Sequence, residues 1–133
     1  MKKLLLAIAL VSLYSSSYAA LHMEVQNMAY NVPSDLFVIK EDYKKEHSNG
    51  VLMFPRGVQT SIVFYSDGGS DGDGYVTIGT TDWQNYCQVT FHRHSEGLSG
   101  DNFDAGVAQI KNFRCALSWL NSNTCRLQIE SPN

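Results

Sequence analysis

Basic side chains are scarce in this chain: ten Lys and Arg stand among 133 residues, against thirteen Asp and Glu. Beyond Lys2 and Lys3 they are scattered as Lys40, Lys44, Lys45, Arg56, Arg93, Lys111, Arg114 and Arg126. No stripe of positive charge is offered to a phosphate backbone or an anionic bilayer, so nucleic acid is not an expected partner. Long apolar runs are missing too. The longest, Leu4 to Leu13, falls short of the roughly 20 residues that a helix needs to cross a hydrocarbon core, so the chain is not expected to be an integral membrane protein. Hydrolytic signatures are also absent. Gly97-Leu98-Ser99-Gly100 lacks the last glycine of Gly-x-Ser-x-Gly, no His-Glu-x-x-His occurs, and Asp101 and Asp104 fall in an expected Gly-rich loop without a partner motif. No sequence repeat and no Asn-x-Ser/Thr acceptor is found in the part expected to fold.

The first nineteen residues read as an address. Lys2-Lys3 precedes the apolar run, and Ser17 and Ala19 supply the small side chains a signal peptidase requires at positions −3 and −1. Residues 1–19 are therefore expected to be a signal peptide of bacterial type, and residues 20–133 a single domain, secreted or periplasmic. After cleavage, eight basic face thirteen acidic side chains, a net charge of −5.

In an oxidising compartment the thiols of Cys87, Cys115 and Cys125 tend to pair, and one is left over. Cys115 and Cys125 are closest in sequence. A hairpin turning at Asn121-Ser122-Asn123, however, sets Cys125 opposite Trp119 and Cys115 opposite Ile129, too far apart for a bridge. The Cys115–Cys125 pair and a pair using Cys87 both stay open.

The rest of the chain is dominated by period-two alternation in short runs rich in β-branched and aromatic residues, broken by Gly, Pro, Asn and Asp clusters. Expected strands are 21–30, 34–40, 58–66, 75–80, 85–94, 107–113, 114–120 and 124–130. About eight short strands fit an all-β antiparallel sandwich, with a small barrel as the alternative. In the run ending at His94, Cys87, Val89 and Phe91 should face the core, and Gln88, Thr90, His92 and His94 should face solvent. The run 58–65 carries apolar residues on both faces and is expected to be a central strand, covered on both faces for part of its length. Over 105–120, Ile110, Phe113, Leu117 and Leu120 also match helical spacing, but the alternation of Phe113, Cys115, Leu117 and Trp119 favours strand.

Three constellations merit weighing. Asp67, Asp71 and Asp73 lie in a Gly-rich loop, and hard cations such as Ca²⁺ take oxygen ligands from such loops. Gly68 to Val76 resembles one calcium-binding β-roll nonapeptide, with Asp71 where Gly belongs. His92 and His94 share a strand face, with Glu96 beyond them, which is the makings of a two-imidazole, one-carboxylate metal site. It departs from the cupin pattern because no His follows it. Trp83 and Tyr86, together with Tyr65 and Tyr75 flanking the Gly/Asp loop, are candidate ligand-binding rings. The blander readings are a soluble loop, a solvated strand end and ordinary core caps.

In size and all-β character the chain resembles aegerolysin-type cytolysins, which implies a membrane-interacting alternative. The leading expectation is a secreted, non-enzymatic β-sandwich binding module for an extracellular protein, glycan or lipid. No cofactor is expected unless Ca²⁺ fills the Asp loop. A small metal-dependent enzyme built on His92, His94 and Glu96 is the third reading.

Overall fold

The computed structural model describes residues 20–32, 35–43, 46–66, 72–95 and 101–132. The signal-like segment 1–19 and the residues Asp67, Asp71 and Glu96 lie outside them. Ten strands follow in order: β1 (Leu21–Met28), β2 (Leu36–Asp42), β3 (Glu46–Ser48), β4 (Met53–Phe54), β5 (Gln59–Ser66), β6 (Gly72–Gly79), β7 (Tyr86–Ser95), β8 (Asp101–Lys111), β9 (Arg114–Asn121) and β10 (Thr124–Glu130). They form two five-stranded sheets, β3-β5-β1-β10-β9 and β4-β2-β6-β7-β8, which do not close into a barrel. The architecture is the expected all-β sandwich, mostly antiparallel.

Alternation does the local work. In β1, Leu21, Met23 and Val25 are buried, and in β10 Cys125, Leu127 and Ile129 are buried. Facing them across the sandwich are Val76 and Ile78 of β6 and Cys87, Val89 and Phe91 of β7. Each such side chain withdrawn from water stabilises the fold by about 1.5–3 kcal/mol. Phe64 of β5 stacks on Phe91 at 4.5 Å between ring centroids, and Tyr43 sets its edge against Phe64 at 5.2 Å. At the other end the buried Asn27 amide donates to Phe54 O at 2.8 Å, and its Oδ1 accepts from Ala29 N, which ties β1 to β4 across the two sheets.

Non-local pairing departs from a simple meander. β1 and β10 lie side by side and parallel, from His22 opposite Thr124 to Met28 opposite Glu130. On the solvent side of that pair Arg126 is held to Glu24 at 3.0 Å, and Gln128 donates to Gln26. The region 105–120 is strand: β8 ends at Lys111, Asn112 takes φ 52°, and β9 begins in the opposite sheet. Asn tolerates that left-handed geometry, and β9 then pairs Cys115 and Leu117 with Ile129 and Leu127.

Two expectations about this framework need correction. β5 is flanked by strands on both sides, as a central strand should be, but its second face is not buried: Ile62 and Phe64 are buried, whereas Val63 is half-buried and Tyr65 exposed. The disulfide joins Cys87 to Cys115, Cα to Cα 6.3 Å, rather than Cys115 to Cys125. The hairpin register is the one derived from the Asn-Ser-Asn turn, with Cys125 opposite Trp119 and Cys115 opposite Ile129. Four residues of strand, about 13 Å, therefore separate the two thiols along the ladder. Cys87, on the inner face of the other sheet, sits within bridging distance instead, and Cys125 stays as a buried free thiol.

Candidate functional site

The outer face of the second sheet is built from residues that alternation points away from the core. Directly opposed residues of antiparallel strands lie on one face. The register therefore aligns Asp42, Tyr75, Thr90 and Gly106 in one row across β2, β6, β7 and β8. The next row holds Asp73, His92 and Asp104. A neighbouring row, Lys40, Thr77, Gln88 and Gln109, flanks them on the other side, with Gln88 donating to Thr77 Oγ1 at 3.3 Å.

The first two rows line an open cleft of about 570 Å³, within the usual size range of ligand sites. Tyr75 supplies a half-buried ring with the Lys40 ammonium 5.8 Å from its centroid. Asp42, Asp73 and Asp104 are exposed around it. The position of Gly106 is open: a Cβ there would meet nothing within 4 Å. Gly74 is the opposite case, because a Cβ would come within 2.7 Å of Asp42 O and 2.8 Å of the Phe91 ring. The missing side chain at Gly74 is what lets β2 lie close at this edge of the cleft.

At the far end of β7, His94 Nε2 is hydrogen-bonded to Asp104 Oδ2 at 2.7 Å, and the His92 and His94 rings meet edge to face at 4.3 Å. Asp104, expected in a loop, therefore belongs to β8, where the ladder sets it opposite His92. The pair stands beside a second cleft of about 480 Å³, lined by His94, Asn102, Phe103, Asp104, Trp119 and Ser122 among others. Trp119 reaches it from β9, the edge strand of the first sheet, and is 40% exposed.

Behind this face is Arg93, which shares the inward side of β7 with Phe91 and is 1% exposed, its guanidinium 4.8 Å over the Phe103 ring. A cation above a ring face is favourable in such a setting. The alternation that sent Cys87, Val89 and Phe91 inward also carries Arg93 inward.

The four ring candidates do not converge. Tyr75 lines the cleft. Tyr65 belongs to the first sheet, where it stacks on His47 at 5.5 Å. Trp83 and Tyr86 pack edge to face at 5.8 Å in the β6–β7 turn, and Tyr86 pairs with Gly79, four residues or about 13 Å along β6 from Tyr75. In that turn Trp83 has φ 62°, and its N–H donates to Thr80 O. Asp82 accepts from the Thr80 hydroxyl and the Gln84 amide, which lowers its pKa.

Among the described residues no group of three or more His, Cys, Asp or Glu side chains is arranged to hold a metal ion. His92 and His94 do share the strand face, and Asp73 is described at the start of β6, while Asp67, Asp71 and Glu96 lie outside the described residues. Sequence reasoning passed over Asp42, Thr90, Gly106 and Trp119 as site residues. Only Thr90 carried a signal, its place on the solvent side of β7. No protein-family model matches the chain, and no curated protein is detectably similar to it in sequence.

Proposed function

We propose that this chain is a secreted, non-enzymatic β-sandwich module that binds a neutral, hydroxyl-rich ligand of the carbohydrate class on the outer face of β2, β6, β7 and β8. The observation that carries the reading is the cleft itself, in which Asp42, Tyr75, Thr90 and Gly106 form a row beside Asp73, His92 and Asp104. A tyrosine ring offers a flat apolar surface for the C–H face of a sugar, and carboxylates, a hydroxyl and an imidazole offer acceptors and donors to its hydroxyl groups. Three exposed carboxylates disfavour phosphate, sulfate or uronate ligands, because like charge brought together without a counter-ion is costly.

Secretion rests on the leader-like residues 1–19 and on the Cys87–Cys115 bridge, which an oxidising compartment maintains.

An array of neutral glycans probed with the protein and with Gly106→Val tests this. Valine suits a strand and meets open space at its Cβ, so folding is expected to survive while the cleft is obstructed. Retention of glycans by the native protein and their loss in Gly106→Val, at an unchanged thermal midpoint, is the expected outcome. Equal retention by both proteins removes the cleft from the function. Binding to liposomes and to no glycan returns the membrane-acting alternative.

A further inference from the structure

The two clefts share a wall. Asp104 lines both, His92 opens onto the first and His94 onto the second, and the two imidazoles touch at 4.3 Å. The His94 and Asp104 side chains that form this divide remain 46% and 79% exposed, so they stand up between the clefts as a polar ridge. Beside a buried phenylalanine, Phe91 in the first and Phe103 in the second, each cleft has a more accessible aromatic residue, Tyr75 in the first and Trp119 in the second. From Thr90 at the floor of the first to His94 at the ridge is four residues of β7, about 13 Å, longer than a single sugar ring.

Resting on the carbohydrate reading above, we infer that the ligand is an extended oligosaccharide chain that lies in the Tyr75 cleft, crosses the His94–Asp104 ridge and ends against Trp119. The ridge presents a carboxylate and an imidazole, which exchange hydrogen bonds with hydroxyl groups of a chain lying across them. Trp119 is positioned for the far end because it comes from the edge strand of the other sheet. The proposed surface therefore wraps from the outer face of one sheet onto the side of the sandwich. A ligand confined to one cleft would leave half of this continuous polar and aromatic surface unused.

The test is titration calorimetry of the native protein with the disaccharide and hexasaccharide of the cello-, malto- and chito- series. Trp119→Ala removes the second ring, and Ser122→Leu obstructs the second cleft from an exposed turn position without touching a strand. The expected result is a hexasaccharide bound about tenfold more tightly than its disaccharide by the native protein, the worth of one further aromatic contact with its hydrogen bonds. Both variants should lose that gain and bind the disaccharide as before. If the native protein binds both lengths equally, or if both variants keep the gain, the extension is wrong while the Tyr75 cleft stands. If the native protein binds neither length in any series, the carbohydrate reading falls with it.

Discussion

Replacing both Cys87 and Cys115 by alanine removes a cross-link between residues 28 apart in sequence. In the chain-entropy account, opening a loop of that size releases about 3.6 kcal/mol of denatured-state free energy at 25 °C. The structure adds a second contribution. Cys87 is fully buried on the inner side of β7, so truncating its sulfur leaves a small void worth about 1 kcal/mol more. The bridge also joins the two sheets. It ties β7, inside one sheet, to β9, an edge strand of the other whose Arg114, Ala116 and Ser118 are exposed. A loss of about 4–5 kcal/mol is therefore expected, a large share of the roughly 5–15 kcal/mol that holds a domain of this size together. Urea denaturation of both proteins, followed by the fluorescence of Trp83 and Trp119, measures it. A loss below about 1 kcal/mol would refute the reasoning, since chain entropy alone exceeds that figure. So would a non-reducing peptide map that joins Cys115 to Cys125.

Two further predictions concern packing and ionisation. Gly74→Ala should destabilise the fold by about 1–3 kcal/mol, because its Cβ would press on Asp42 O and on the Phe91 ring, and it should weaken ligand binding by displacing Asp42; an unchanged urea midpoint would show that β2 yields freely there. Burial pushes the Cys125 thiol from 9.0 up to about 11. Between those values the folded protein keeps a proton that the unfolded chain has lost, so the thiol's contribution is full below pH 9.0 and is lost as pH rises toward about 11, by roughly 2–3 kcal/mol. Tyr43, also raised by burial and by the Glu41 carboxylate, titrates in the alkaline range as well, so the comparison is with Cys125→Ala, whose stability should fall less steeply across that window. Identical slopes in the two proteins would remove the thiol as the cause.

Local order was legible because it is written in neighbours. Period two placed eight of the ten strands near their observed positions, assigned Cys87, Val89 and Phe91 to the core, and set the β9–β10 register through the Asn-Ser-Asn turn. The two strands that escaped, Glu46–Ser48 and Met53–Phe54, are three and two residues long, too short to show alternation. Arg93 was legible in principle, since it has the same parity as Phe91, but its charge masked a buried position in which its guanidinium lies over the Phe103 ring.

What the sequence determined by itself is the all-β class, the inward and outward faces of most strands, and the register of the β9–β10 hairpin, because each depends on residues a few positions apart. Tertiary structure alone decided that β1 lies parallel to β10, that Cys87 meets Cys115, that Asp42, Asp73, Tyr75 and His92 line one cleft, and that Asp104 lines both it and the cleft of Trp119. Each of these joins strands distant in sequence whose alternation is the same. A period of two says which way a side chain points but not which strand lies beside it.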